Sequence, residues 1–414
     1  MRRAVAADEE FLWVGQGKDA VRIPRAKVFV ASVGKASAAM ASAVAAMAPE
    51  VPGVVIAPPG GPRLETGQIV QCEGNHPIPG PGSFAATEVL LEAVDRTPED
   101  TEILFLLSGG ASALFARPHE GITRSQKAAF TEQMLRAGAP IGLLNRARLR
   151  LSALKGGRFL ARVAPRRVSS LVLSDVPGGA DWEIGSGPTY LPPEQIWRED
   201  LAPRLRELLG VTSLPEPLAT IMGPGALPES LISGDLPPGR WRLVGDNARA
   251  RRAAATAARV AGHGARISRY RLSGEASVAA EEVLLRLDAQ PESVSCLVFG
   301  GETTVSLGST AGTGGRSQEL ALAAVPGLAR RDWVLLAAGT DGVDGVGGAT
   351  GAMVGPDTLS FLGASEVRSG LREHDSATVL ARAGSLVVTG PTGTNVGDLV
   401  IALRSKSKNI VLKI

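Results

Sequence analysis

Short apolar runs recur along this chain, each followed by a glycine-rich turn and then by an Ala- or Leu-rich stretch. The runs at 27–33, 53–57, 102–107 and 169–174 are apolar at nearly every position, as strands buried on both faces are. Between them the pattern predicts a helix over 37–48 (SAAMASAVAAM) and one starting at Ser83, with Ser83 as its N-cap. It also predicts a helix over 123–137 capped by Thr123, and a basic helix over about 142–163. Residues 1–24 read as irregular and polar, and 58–82 as a long Pro/Gly loop containing GNHPIPGPGS. The alternation of strand and helix predicts an α/β fold with a parallel, doubly wound sheet.

The pattern changes further along. Residues 191–240 are rich in Pro, Leu and Arg and read as helical decoration followed by a linker, with SGDLPPGRW as the crossing. Strands at 241–245, 265–271 and 295–299 then alternate with helices at DNARARRAAATAARVA, 274–288 and 317–329. The segment SLVVTGPTGTNVGDLVIAL reads as two strands around a wide polar loop. The expectation is two domains, 1–238 and 239–414, the second of mixed α/β type; 414 residues also exceed one ordinary core.

Composition narrows the function classes. Glycine makes up 50 of 414 residues, well above the usual ~7%, and no collagen-like period accounts for it. The excess therefore sits in turns and ligand loops. Aromatics are only 4% and the net charge is +3, which argues against a nucleic-acid partner. The two cysteines, Cys72 and Cys296, lie outside any metal spacing. No run reaches the ~18 apolar residues of a membrane span, and MRRAVAADEEFLW is acidic where a signal peptide needs an apolar core. A cytoplasmic protein is the expectation, without a membrane partner.

The candidate chemistry lies in the glycine turns, where backbone N–H groups are free to meet an anion. In VGKAS, Gly34 and Lys35 stand between a strand and a helix N-terminus; Lys35 reads as an anion clamp or as an exposed surface lysine. GxxxxGK[ST] is absent. LLSGGASALF offers Ser108, Gly109, Gly110 and Ser112 as an anion nest; it lacks GxSxG and an evident His–Asp set. The basic stretch carries Arg148, Lys155 and Arg162 seven apart, on one face of a continuous helix, and Lys155 before Gly156 is the candidate ligand. In SDVPGGADWEIGSGPT, Asp175 reads as a metal ligand. GGETTVSLGSTAGTGGRSQE places Glu302 ahead of Gly315 and Arg316, and a glycine-flanked Arg opening a helix suits a transferring phosphoryl group. GTDGVDG adds Asp341 and Asp344, spaced like metal or hydroxyl ligands, and TGPTGTNVGD adds Thr392, Gly393 and Asn395 as neutral donors.

Taken in order, VGKAS, NHPIPGPGS, LLSGGASALF, LSALKGGR, LVLSDVPGG…IGSGPT, GGETTVSLG…GGRSQE, GTDGVDG and TGPTGTNVGDLV resemble the glycerate 2-kinase family over about residues 25–404. The resemblance implies a Rossmann-like glycerate kinase domain joined to a MOFRL-type C-terminal domain, with the active site in the cleft between them. It implies ATP-dependent phosphorylation of D-glycerate to 2-phosphoglycerate with Mg²⁺, Lys35 and Arg316 being the family's leading catalytic positions. Glycerate and ATP are then the partners, with a homodimer left open. Gly34, Ser108, Gly109, Gly110, Ser112, Lys155, Gly315, Thr392, Gly393 and Asn395 are the binding candidates; Asp175, Glu302 and Asp341 are the metal candidates. The chain departs from the family pattern at ARLRLSALKGGR and at Ser317, where Asn is usual. The alternatives are a hydroxypyruvate reductase, for which the GxGxxG turn is missing, and a non-catalytic nucleotide- or sugar-acid-binding protein.

Overall fold

A computed structural model describes residues 4–15, 20–64, 67–176, 181–225, 231, 240–307 and 312–405. Most of the expected crossing SGDLPPGRW, and the 238/239 boundary, lie outside them. The chain forms two compact units that divide between Val244 and Gly245.

The first unit is built on a six-stranded sheet of order β6-β5-β4-β7-β8-β9. Its strands are β4 (Val28–Val33), β5 (Gly53–Ala57), β6 (Ile69–Glu73), β7 (Glu102–Ser108), β8 (Arg167–Leu173) and β9 (Arg240–Gly245). Strands β4 to β8 pair parallel. Every residue of β4, β5 and β7 is buried, as their largely apolar runs lead one to expect. Alternate side chains feed two cores. Phe29, Ala31, Ile103 and Phe105 pack under helices α2 (Pro81–Asp95) and α6 (Arg158–Val163). Val28, Val30, Leu104 and Leu106 pack under α1 (Ser37–Ala45).

Four local expectations change, the first being that the expected Pro/Gly loop at 58–82 contains strand β6, which pairs parallel with β5. Residues expected to be irregular form an antiparallel meander, β1 (Val5–Ala7), β2 (Phe11–Val14) and β3 (Val21–Pro24), because Val5, Leu12, Val14 and Ile23 complete the core over α1. Helix α2 starts at Pro81 behind Gly80, so Ser83 is not its cap; Ser83 instead accepts from the Asn75 amide and donates to the Asn75 carbonyl. The basic helix is two helices, α5 (Ile141–Arg150) and α6, separated by Gly156 (φ +64°) and Gly157 (φ +83°). A continuous helix cannot pass two left-handed glycines, so Arg148, Lys155 and Arg162 do not share one helical face. Thr123 caps α4 (Arg124–Arg136) in a reciprocal box with Gln126, as read from the sequence.

The second unit is a mixed sheet of order β10-β11-β15-β12-β13-β14. Its strands are β10 (Ala265–Leu272), β11 (Cys296–Gly301), β12 (Trp333–Gly339), β13 (Gly351–Val354), β14 (Leu386–Val387) and β15 (Asp398–Arg404). Only β10 and β11 pair parallel among the registers described. One face, with Leu297, Phe299, Leu335 and Val400, packs against helices Ala276–Asp288 and Arg316–Leu328. The other, with Cys296 and Val298, packs against helix Asn247–Val260 through Ala255.

Candidate functional site

The first unit's strand order creates its site. The chain runs from β4 outward to β5 and β6, then returns to pair β7 on the opposite side of β4. The carboxyl ends of β4 and β7 are therefore a topological switch point, where open α/β sheets leave a crevice for ligands. Gly34 and Lys35 follow β4, and Gly109 and Gly110 follow β7.

The two turns are clamped together. The Lys35 amide donates to the Gly109 carbonyl at 2.8 Å, and the Ala36 amide donates to Ser108 Oγ at 3.0 Å. Ser108 is fully buried, so it braces the turns and does not face a ligand. Gly34 sits at φ +126°, and a Cβ there would lie 2.2 Å from Ser108 Oγ and 2.5 Å from the Ser108 carbonyl oxygen. Gly34→Ala is thus expected to destabilise the protein by at least ~1–3 kcal/mol through backbone strain alone and to displace Lys35. Urea denaturation alongside a rate measurement checks this; unchanged stability with full activity would contradict the clamp.

Lys35, His76 and Asp175 surround the glycine pair. A Cβ on Gly110 would lie 3.1 Å from Lys35 Cγ and 3.3 Å from His76 Nε2, and one on Gly109 would lie 1.7 Å from Asp175 Oδ2. His76 stood in the NHPIPGPG motif but not among the sequence candidates. Burial, helped by Lys35 and Arg148, lowers its pKa to about 4, so the imidazole is neutral near pH 7. A base whose folded pKa lies below its unfolded value contributes stability above pH ~6.5 that is lost as pH falls towards 4. The melting temperature should therefore drop across that interval, and less steeply in His76→Asn; parallel curves would remove His76 as a cause.

The other candidates of this unit divide by position. Ser112 Oγ shares a 2.8 Å hydrogen bond with Ser186 Oγ. Lys155 corrects the expectation of a ligand lysine. It is fully buried, and its ammonium donates to the carbonyls of Phe115 at 3.1 Å and Gly185 at 3.4 Å. Burial holds its pKa well below the ordinary lysine value.

In the second unit, register brings the candidates together. Asp398, the first residue of β15, stands opposite Gly301 at the end of β11 and Gly339 at the end of β12. The glycine turns that follow β11 and β12 and precede β15 meet at this point. Arg316 opens its helix behind Gly315 and points its fork at Asp398, with Nε to Oδ2 at 2.6 Å and Nη2 to Oδ1 at 3.0 Å. Its Nη1 donates to Glu302 Oε1 at 2.5 Å. Asp344 accepts from the amides of Ser317 at 3.0 Å and Gln318 at 2.8 Å, supplying the negative charge that a helix N-terminus favours. Sequence reasoning chose Arg316 and Glu302 but missed Asp398, the last letter of TGPTGTNVGD, and read Asp344 as a metal or hydroxyl ligand where it accepts from the helix N-terminus.

Burial pushes the Asp398 carboxyl up to about 7; Arg316 opposes this, and Glu302 and Asp344 add repulsion. Although burial works against it, the two carboxylates hold Arg316 firmly charged. The polar loops lock onto the same end of the sheet. Thr392 Oγ1 donates to the Thr340 carbonyl at 2.5 Å, its amide donates to the Asp341 carbonyl at 3.0 Å, and Asn395 Oδ1 accepts from the Gly397 amide at 3.2 Å. Gly393 takes φ +72° in that loop.

The metal candidates do not form a cage. Asp175 lies in the first unit, while Glu302 and Asp341 lie in the second. Among the described residues no three His, Cys, Asp or Glu side chains converge to hold an ion. Nor, among those residues, is any helix long and apolar enough to cross a membrane.

Residues 1–216 match a family described as a domain of unknown function (DUF4147), and residues 295–398 match the MOFRL family. A protein of Agrobacterium vitis, provisionally named a hydroxypyruvate reductase, is 37% identical over 91% of this chain and 87% of its own length. A D-glycerate 2-kinase of Thermotoga maritima is 36% identical over 91% of this chain and 90% of its own. The crystal structure of a glycerate kinase from Thermotoga maritima superposes with a TM-score of 0.76 at 34% identity, covering 91% of both chains.

Proposed function

Because the chain belongs to the glycerate 2-kinase family, we propose that it transfers the γ-phosphoryl group of ATP to the 2-hydroxyl of D-glycerate. The observation that carries this reading is Lys35 at the switch point, its turn hydrogen-bonded to the turn after β7. In the reaction the substrate hydroxyl oxygen bonds to the γ-phosphorus as the bond to the β–γ bridging oxygen breaks. ADP leaves with the electron pair, and the hydroxyl proton is released. This chemistry demands positioning and charge neutralisation more than a covalent intermediate.

Lys35 supplies a point charge where phosphoryl oxygens gather, and Arg316 supplies a rigid fork whose direction Asp398 and Glu302 set. We assign both residues to the same transfer. The Gly109–Gly110 turn and the loop around Gly393 present backbone to the phosphates. Mg²⁺ enters this proposal as the counter-ion of the nucleotide; the described residues do not fit a dedicated protein cage, and no step is routed through the ion. A cytoplasmic site of action belongs to the same proposal and agrees with two unpaired cysteines, Cys72 and Cys296.

The name of the Agrobacterium vitis relative favours a second reading, a reductase of hydroxypyruvate. Against it, the turn after β4 reads VGKASA and lacks the glycine spacing that lets a backbone approach a dinucleotide pyrophosphate. Two parallel assays separate the readings. D-Glycerate should drive ADP release from ATP, and hydroxypyruvate should drive no NADH oxidation. The opposite pair of results would replace the kinase by the reductase.

A further inference from the structure

The basic stretch of α5 and α6 breaks up when each cation is traced to its partner. Arg146 pairs with Glu199 at 3.0 Å, and Arg162 pairs with Asp95 at 2.5 Å. Arg150 donates to the carbonyls of Gly223, Trp197 and Glu199. Arg158 donates to those of Leu149 and Ser152, and Lys127 to that of Leu151. These groups saturate the carboxyl end of α5 and the turn after it.

Arg148 stands apart. Among the described residues it has no hydrogen-bond or ion-pair partner. It is only partly exposed and lies within electrostatic reach of His76, the side chain that touches Gly110 beside Lys35. Burial alone lowers its pKa, to about 10, with no acid to offset the cost. A half-buried guanidinium without a partner is an unsatisfied fork of donors, and a planar oxyanion satisfies such a fork in pairs.

We propose that Arg148 is a substrate-binding residue that takes the carboxylate of the 2-hydroxy acid, beside Lys35 and His76 at the switch point. Lys35 already serves the phosphoryl oxygens, which leaves the substrate's carboxylate as the anion for Arg148. The planar fork also suits a carboxylate better than the rounded ammonium of Lys35 does. The neutral imidazole adds a hydrogen-bonding edge for the neighbouring hydroxyl without adding charge.

The assignment rests on the glycerate kinase reading, and the test separates the two. Arg148→Gln and Arg148→Lys are assayed for KM of D-glycerate and of ATP. Calorimetric titration of each protein with D-glycerate and with L-lactate, without nucleotide, gives the equilibrium constants. Arg148→Gln should raise KM and Kd for D-glycerate roughly 30- to 100-fold and leave KM for ATP within about twofold. Arg148→Lys should recover part of the loss, and it carries the test if the Gln variant does not fold. A rise in KM for ATP alone makes Arg148 a nucleotide ligand and overturns the proposal. Unchanged D-glycerate constants in both variants, or no carboxylate binding by the wild-type protein, also overturn it. Arg148-dependent binding of both acids without ADP release would uphold Arg148 and refute the kinase.

Discussion

Lys35→Met should lower kcat/KM for D-glycerate and ATP by about three orders of magnitude or more while the protein remains folded. The physical reason is the placement of the charge. Lys35 stands in a turn fixed from behind by Ser108 and Gly109, so no reorganisation is needed when charge develops on the phosphoryl oxygens. The backbone clamp runs through the amides of Lys35 and Ala36 and survives the substitution. Stability should therefore change little, unlike in Gly34→Ala. A melting curve beside a coupled assay of ADP release makes the comparison, and retention of full activity in Lys35→Met would remove the lysine from the reaction.

The second large effect belongs to the Arg316–Asp398 pair. Arg316→Met leaves the buried carboxyl of Asp398 without its cation. Breaking such a pair costs ~3–5 kcal/mol for deeply buried groups, and the partial exposure of Arg316 places this case at the lower end or below. Activity should fall by about 10²–10³ or more, the range for removing one preorganised donor of developing charge.

Asp398→Asn separates positioning from charge, because the amide keeps the shape but cannot balance the guanidinium. The Asp398 pKa is raised on folding from the ordinary 3.8 to about 7. The folded state therefore holds this proton more tightly than the unfolded chain. Its contribution to stability is complete below pH ~4 and is lost as pH rises to about 7. Asp398→Asn should remove that slope from the stability curve, together with any ionisation near pH 7 in the kcat/KM profile. A variant profile that superposes on that of the wild type would show that Asp398 does not set the charge state of the site.

How much was legible in advance depends on the range of the signal. β4, β5 and β7 are apolar at nearly every position because both faces are covered, and they were readable from their runs alone. Lys35 and Arg316 were readable because a single cation between glycines at a helix start is a local pattern. The β1–β3 meander was not, since its strands span only three or four residues and become apolar surface only over α1. The α5–α6 break hid in a basic run whose charges looked periodic, although Gly156–Gly157 marked it. Asp398 escaped because its meaning comes from register: it is 82 residues from Arg316 in sequence and a bidentate partner in space. Lys155 misled for the converse reason, since a lysine before two glycines gives no local sign that it is buried among carbonyls.

The product of the reaction tests the central claim most directly. After incubation with ATP and D-glycerate, proton-coupled ³¹P NMR reports the carbon that carries the new phosphate. A phosphomonoester on C2 has one neighbouring proton and gives a doublet, whereas one on C3 has two and gives a triplet. The account predicts a doublet that grows in step with ADP and is absent with Lys35→Met. A triplet, or ATP loss with no new phosphomonoester, would contradict it.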